Sequence, residues 1–173
     1  PRETWITCRM AHVYSMGAML GVKGCDILAD KALEGLLGEL FDKQYGGWYA
    51  GIRADGSVLP DKQCYAHAFV ILAATSALLA ESPRAKELLA LSRKIYDERF
   101  WDEEKGLAKD TWDTEFKVLD AYRGLNANMH SVEAFLAMAD ATGEETYRIR
   151  AGRIIDHVIC YAKENDWRIP EHY

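Results

Sequence analysis

Residues 62–80 read KQCYAHAFVILAATSALLA, and this stretch decides the fold class. At helical spacing it is apolar on nearly every face, whereas a helix at a protein surface needs only one apolar stripe. Such a helix must be covered by protein on all sides. Residues 4–20 and 126–141 have the same character. We therefore predict an all-α protein with three helices in an inner layer.

Three further helical segments alternate along the chain with these inner ones. Residues 25–41, 83–99 and 144–162 carry Leu and Ile at helical spacing on one side and charged residues on the other. An amphipathic helix of this kind packs along one stripe and faces water along the rest. The alternation predicts about six helices in three inner and outer pairs, with an outer layer wrapped around the inner one.

The connections between the pairs also repeat. Residues 41–48, FDKQYGGW, follow one outer segment, and the similar residues 100–107, FWDEEKGL, follow the next. An outer helix, a glycine turn, a short extended piece and a new inner helix thus recur roughly every 60 residues, a period too long for the common helical solenoids. We predict an α/α toroid with short β-hairpin-like connections, in preference to a four-helix bundle.

Length and charge limit the function classes. A chain of 173 residues fits one domain, residues 1–173, and its net charge of −6 argues against a nucleic-acid partner. Neither a long uncharged apolar run that would span a membrane nor a signal-peptide pattern is present, so we expect a cytoplasmic protein without a membrane partner. The cysteines Cys8, Cys25, Cys64 and Cys160 have no CxxC spacing and are expected to be reduced thiols. The abrupt start at Pro1 and the abrupt end suggest a domain truncated at both ends.

The most informative residues are the few polar ones on the three inner segments, which are otherwise apolar. Each inner segment carries such residues at spacings of three or four, which places them on one stripe. The three sets are Trp5, Arg9 and His12; Gln63 and His67 with Tyr65 close by; and Asn126, His130 and Glu133. A buried polar group without a partner costs several kcal/mol, so these stripes need partners or a wet cavity. The centre of a toroid provides that cavity.

Other interpretations of the same residues remain open. A histidine on an apolar helix is often a hydrogen-bonded core residue, and the stripes could form structural polar networks. Glu133 could orient Arg9 or mark a helix end, and His157 is expected to be a surface or structural residue. A metal site built from His12, His67 and His130 is a weak alternative, because no H-E-x-x-H motif or tight ligand spacing is present. We expect no metal and no cofactor.

A wet cavity lined in this way suits a sugar. Aromatic faces pack against the C–H faces of a sugar ring, while amides, Arg and His bond its hydroxyl groups. Imidazole, with a pKa near neutrality, can also exchange a proton next to a carbonyl. The residues therefore favour a sugar as the small-molecule partner.

Four segments carry a family resemblance: residues 5–15, WITCRMAHVYS; residues 45–50, YGGWYA; residues 124–134, GLNANMHSVEA; and residues 171–173, EHY. Together they resemble the N-acylglucosamine 2-epimerase superfamily, nearest to its bacterial aldose–ketose isomerases of mannose- or sulfoquinovose-like sugars. The resemblance covers essentially the whole chain. It implies an (α/α)6 barrel, of which about half the ring is present.

The resemblance also implies a mechanism and a set of site residues. Family members open the sugar ring and move a proton between C2 and C1 through a cis-enediol, using histidines and no obligatory cofactor. Arg9 and Asn126 match substrate-binding positions and His130 a supporting catalytic one. Tyr65 and His67 are expected to line the same cavity, together with Trp5, His12 and Glu133.

The principal acid and base histidines of the family belong to later helices than the six found here. We therefore expect the 173-residue chain to be inactive alone. The exposed flanks of a half-ring also predict self-association into a homo-oligomer.

Two other functions stay open at this point. A glycoside hydrolase on the same toroid would need two carboxylates flanking the cleaved bond, for which Asp110, Asp113 and Glu115 are the candidates. A non-catalytic sugar-binding module would need only the polar stripes.

Overall fold

The computed structural model describes residues 1–172, and Tyr173, the last residue of the fourth motif segment, lies outside them. The described residues form six α-helices: α1 Thr4–Met19, α2 Cys25–Leu37, α3 Cys64–Leu79, α4 Ala85–Ile95, α5 Leu125–Thr142 and α6 Glu145–Glu164. None of the helices within residues 1–172 combines the length and the apolar character needed to cross a membrane.

The helices form three pairs in chain order. Helices α1, α3 and α5 lie side by side, with α3 in the middle, and each packs against the helix that follows it, which is α2, α4 or α6. The predicted alternation of inner and outer helices is therefore confirmed. Together the three pairs build one wall, with α1 at one edge and α5 at the other.

Burial differs sharply among the inner helices. Almost all of α3 is buried, whereas α1 buries only four residues and exposes Ile6, Met10 and Val13. The expectation that all three inner helices are covered on every side is thus correct for α3 alone. The reason is positional, since α3 has an inner neighbour on both sides while α1 and α5 have one each.

Three helices differ in their boundaries from the sequence prediction. Residues 83–99 do not form one α-helix, because α4 ends at Ile95 and a π-helical turn, Tyr96–Phe100, follows it. The inner segment predicted from residue 62 becomes helical only at Cys64, because Lys62 and Gln63 pair as a strand with residues 111 and 112. Residues 38–41 also lie beyond the end of α2.

Short antiparallel strands make the predicted hairpin-like connections. They are β1 Arg2–Glu3, β2 Gly51–Ile52 and β3 Val58–Leu59 in one sheet; β4 Lys62–Gln63 with β7 Thr111–Trp112; and β5 Trp101–Asp102 with β6 Leu107–Ala108. Glycine is needed at position 51, where a Cβ would come within 2.8 Å of the Arg2 carbonyl oxygen.

The pairing follows one rule in all three repeats. The residues just before each inner helix pair with a connection that lies further along the chain. Arg2 pairs with Ile52, Gln63 with Thr111, and Gly124 with His172. The start of every inner helix is therefore held by the connection that follows the next outer helix.

A buried ion pair anchors the first connection to α3. The Lys62 side chain is fully buried, and its Nζ donates to Asp42 Oδ2 at 2.8 Å and to the Gly46 carbonyl at 3.0 Å. The other carboxylate oxygen, Asp42 Oδ1, accepts the backbone N–H groups of Gln44 and Tyr45 at 2.9 and 3.2 Å. Burial lowers the pKa of Lys62, and the hydrogen bond to Asp42 acts in the opposite direction. The pair thus fixes the hairpin of residues 41–48 against the strand that leads into α3.

Replacing Asp42 with alanine should destabilise the chain strongly, because it leaves the Lys62 ammonium buried without a counter-charge. We expect Asp42→Ala to lower the free energy of unfolding by about 3–5 kcal/mol in a urea titration. Glu39→Ala is the matched control, because it breaks the exposed pair between Arg2 and Glu39 and should cost about 1 kcal/mol or less. Equal losses in the two variants would contradict the structural role assigned to the buried pair.

Candidate active site

The first two turns of α1, α3 and α5 bring an aromatic cluster together on the inner wall. The Trp5 and Tyr65 rings meet edge to face with their centroids 6.0 Å apart. The Tyr65 ring stands at 85° to the His130 imidazole at 5.1 Å, and Phe69 lies 4.7 Å from the same imidazole. Each of the three inner helices contributes at least one member, as the polar stripes predicted.

Arg9 is held in this cluster by aromatic rings. Its Cζ lies 5.0 Å from the ring centroid of Trp5, one turn earlier on α1, and 4.7 Å from that of Phe69 on α3. Its Nη2 donates a long hydrogen bond of 3.5 Å to the Tyr65 hydroxyl. Among residues 1–172, no carboxylate lies within ion-pair distance of Arg9. Most of its N–H groups are therefore available to an oxygen-rich ligand.

His130 and Glu133 form a pair on α5. His130 Nδ1 lies 2.9 Å from Glu133 Oε2, and their side chains are 17% and 51% exposed. A carboxylate that accepts Nδ1–H leaves Nε2 as the ring nitrogen available to a ligand. Glu133 was expected to orient Arg9 or to mark a helix end. The structure instead pairs it with the histidine one turn before it.

His12 is held in a comparable way one turn below Arg9. Its Nδ1 lies 2.6 Å from the Ser76 hydroxyl, which is also 3.0 Å from the Leu72 carbonyl. The hydroxyl has one hydrogen, so both contacts are hydrogen bonds only if His12 donates through Nδ1–H. Burial lowers the pKa of His12, while the negative charge of Glu133 raises it. His12 on α1 and Glu133 on α5 thus influence each other across α3.

His67 does not join the cluster. It is buried, its Nδ1–H donates to the Gln63 carbonyl at 2.7 Å, and its Nε2 accepts the Trp48 N–H at 3.1 Å. The ring packs 4.4 Å from Phe100, in the core between α3 and the π-helical turn. Both nitrogens are occupied by backbone groups, so the expectation that His67 lines the cavity is corrected to a structural role. Burial lowers its pKa from 6.5 to about 3.

The two asparagines of residues 124–134 have different roles. Asn126 is exposed in the first turn of α5, one turn before His130 and on the same stripe. Asn128 is buried, accepting the Ala108 N–H at 2.8 Å and donating to the Gly124 carbonyl at 3.1 Å. Asn126 therefore remains a candidate for ligand binding, whereas Asn128 fastens strand β6 to the start of α5.

Sequence reasoning did not include Phe69, which contacts both Arg9 and His130. The residue is four positions after Tyr65 and so lies on the same stripe of α3. That spacing was the available signal, but an apolar residue on an apolar helix does not stand out.

The loop carboxylates considered for hydrolysis are occupied by structural contacts. Asp110 accepts the Gly124 N–H at 3.1 Å, and Asp113 accepts the backbone N–H groups of Lys117 and Val118 at 2.7 and 3.0 Å. Glu115 pairs with Lys117. These contacts stabilise the connection between β7 and α5, and they give no support to a hydrolytic pair.

The histidines are likewise not gathered around one point. Within the described part of the chain, no three residues among His, Cys, Asp and Glu are placed to hold a metal ion. The outer-helix His157 bonds the Lys105 carbonyl at 2.7 Å, which agrees with the structural role expected for it.

The sequence matches a known protein family over its whole length. The family described as N-acylglucosamine 2-epimerase (GlcNAc 2-epimerase) matches residues 1–173, the whole chain. The chain belongs to this family. The resemblance read from the four motif segments is confirmed.

Individual relatives agree with this assignment. The chain is 44% identical over 173 residues to a D-mannose isomerase from Thermobifida fusca, a match that covers 99% of this chain and 42% of the relative. A crystal structure of a D-mannose isomerase superposes with a TM-score of 0.91 at 26% identity, over 99% of this chain and 46% of that one. The chain thus spans less than half the length of these relatives.

The fold class is confirmed by a more distant structure. The cellobiose 2-epimerase from Spirochaeta thermophila DSM 6192 matches with a TM-score of 0.80 at 17% identity, over 92% of this chain and 43% of that one. The inner and outer helices described above are therefore part of an (α/α)6 barrel, and the three pairs form a partial toroid.

The depressed pKa of His67 predicts a pH-dependent stability. Folded protein keeps His67 neutral down to about pH 3, whereas the unfolded chain takes up a proton below pH 6.5. The contribution of neutral His67 to the free energy of unfolding is therefore complete above pH 6.5. It is lost as the pH falls below that value, by about 1.4 kcal/mol per pH unit. We expect the free energy of unfolding to fall between pH 7 and pH 5 more steeply in the wild type than in His67→Gln. Urea titrations at the two pH values measure the change in the free energy of unfolding for each protein. Equal changes in the wild type and His67→Gln would contradict this prediction.

Proposed function

We propose that this chain carries one wall of the substrate site of an aldose–ketose isomerase that acts on a mannose-like monosaccharide. The observation that carries the proposal is the guanidinium of Arg9, stacked on two aromatic rings without a carboxylate partner among residues 1–172, in a cluster that also holds the His130–Glu133 pair. The hydroxyl oxygens of a sugar can accept hydrogen bonds from this guanidinium. The identity of 44% to a D-mannose isomerase supports mannose as the first substrate to test.

The proposed binding roles follow from exposure and chemistry. Trp5 and Tyr65 are half-buried and offer aromatic surface to the C–H face of a sugar ring. Arg9 and Asn126 are exposed and donate hydrogen bonds to its hydroxyl groups. A sulfoquinovose-like sugar would present an anionic group to the same Arg9, so its binding can be compared directly with that of mannose.

The proposed reaction moves two protons and leaves the composition of the sugar unchanged. After ring opening, a base removes the C2 proton of the aldose, and the electron pair forms the double bond of a cis-enediolate whose C1 oxygen carries negative charge. The C1 oxygen then takes up a proton, the C2 hydroxyl loses its proton to become the ketone, and the proton taken from C2 is returned at C1. Preorganised donors such as Arg9 and His130 would stabilise that developing charge. These side chains need no cofactor for this role.

The principal acid and base are not assigned to the six helices. We propose that those histidines belong to later helices, as the family resemblance implies, and that His130 has a supporting part. His12 also offers Nε2, because its Nδ1 is bonded to Ser76. We propose that His12 binds a sugar hydroxyl through Nε2, one turn further along α1 than Arg9.

Removing the charge of Arg9 should weaken sugar binding. Because hydrogen bonds to a charged group contribute about 1.5–3 kcal/mol, Arg9→Met should lower the affinity for D-mannose about tenfold or more. Isothermal titration or ligand-observed NMR measures the affinity. Arg148→Met is the control, since Arg148 lies on the outer helix α6 and pairs with Asp140 and Glu145, outside the cluster. Equal affinity in wild type and Arg9→Met would contradict the role proposed for the Arg9 guanidinium in sugar binding.

Turnover separates the isomerase from a sugar-binding module. We expect the 173-residue chain alone to form no D-fructose from D-mannose above background. We expect turnover from a chimera in which the chain replaces the matching part of the Thermobifida fusca D-mannose isomerase, and its loss when the chimera carries Arg9→Met. A chimera that folds and binds D-mannose without turnover would favour a binding module, and turnover by the chain alone would contradict the inactivity expected of it.

A further inference from the structure

Phe69 occupies the centre of the inner wall. It lies on α3 one turn after Tyr65, and only 4% of its surface is exposed. A sugar in the cavity therefore has almost no access to its ring. Any part that Phe69 takes in the site must act through the side chains around it.

The first of these side chains is Arg9. The guanidinium contacts two rings, Trp5 at 5.0 Å and Phe69 at 4.7 Å, but Trp5 is on the same helix as Arg9. A contact within α1 cannot fix Arg9 relative to the other helices. Phe69 is on α3, so its cation–π contact ties the guanidinium to the middle of the wall.

The second side chain is His130. Its bond to Glu133 is also internal to one helix, here α5. The imidazole packs 4.7 Å from the Phe69 ring at an interplanar angle of 43°, and 5.1 Å from Tyr65. The position of His130 relative to the wall is therefore set by these two residues of α3.

Arg9 and His130 thus have a shared buried neighbour. Within residues 1–172, no hydrogen bond or ion pair joins Arg9 to His130 directly. Tyr65 also contacts both, but its hydroxyl and half-exposed ring make it a ligand-binding candidate itself. Phe69 has no polar atom and almost no exposure, which leaves positioning as its contribution.

We propose that Phe69 is a positioning residue that fixes the Arg9 guanidinium and the His130 imidazole relative to each other across the inner wall. This proposal rests on the proposed sugar site and deepens it. According to this proposal, sugar binding requires an aromatic side chain at residue 69, and a side chain of similar volume is not enough. An aliphatic side chain of similar size would fill the space without attracting the guanidinium or stacking on the imidazole.

NMR of the 173-residue chain tests the positioning without any sugar. Nuclear Overhauser effects to the Tyr65 ring report where the Arg9 side chain and the carbon-bound ring protons of His130 lie relative to α3, whether or not residue 69 is aromatic. We expect both sets of effects to weaken in Phe69→Leu and to keep near wild-type intensity in Phe69→Tyr. Phe135→Leu is the matched control, because Phe135 is a fully buried aromatic that packs on Tyr96 and Trp101. Phe69→Met serves if Phe69→Leu does not fold.

The NMR outcomes decide the proposal in either direction. Unchanged effects from Arg9 and His130 to Tyr65 in Phe69→Leu, or in Phe69→Met if that variant is used, would overturn it. An equal weakening in Phe135→Leu would also overturn it, because it would then report general loosening of the core.

Sugar affinity provides the second measurement. We expect D-mannose to bind about tenfold more weakly to Phe69→Leu, and within about threefold of wild type to Phe69→Tyr and Phe135→Leu. Unchanged affinity in Phe69→Leu would overturn the requirement for an aromatic ring. If the wild-type chain binds no sugar, the proposed function fails, while the NMR comparison still decides whether Phe69 positions the two groups.

Discussion

The burial of α3 is the constraint on which the rest of the wall depends. Thirteen of its sixteen residues are buried, so apolar surface must be covered on every side of the helix. Helices α1, α4 and α5 provide that cover. The few polar side chains on the buried part are satisfied within the chain: Thr75 and Ser76 donate to carbonyl groups one turn earlier, and His67 bonds two backbone groups. Only near its first turn does α3 offer polar atoms to the cavity, through Tyr65.

The candidate site is a consequence of this arrangement. Because α1 and α5 both pack on α3, side chains from their first two turns converge over Tyr65 and Phe69. Each aromatic contact contributes about 0.5–1.5 kcal/mol, so the cluster depends on several contacts acting together. The ion pair of Lys62 with Asp42 and the buried amide of Asn128 hold the segments that lead into α3 and α5. The site is thus supported by residues that lie outside the aromatic cluster.

The sequence was sufficient for the layers and for most of the site, and the failures have physical causes. Apolar character predicted the inner helices, and spacing predicted that Arg9 and His130 face one cavity. His67 failed because it is two residues from Tyr65, which at 3.6 residues per turn places the two on nearly opposite faces. The π-helical turn after Ile95 gave no composition signal, and Phe69 is indistinguishable from its apolar neighbours until the fold places it beside Arg9. The predicted self-association and the cytoplasmic location stay predictions.

The pairing rule of the connections bears on how such a chain is made. Arg2 meets Ile52, Gln63 meets Thr111, and Gly124 meets His172, so each partner is synthesised about fifty residues after the segment that it holds. On a ribosome, an inner helix can emerge and pack loosely, but its first turn is fastened only when the following unit arrives. Trp5 and Tyr65 lie in those first turns, and Arg9 and His130 lie one turn further along their helices. The part of the wall on each inner helix is therefore held in place only after the next helix pair has been synthesised. Assembly of the site would then proceed in the order of translation.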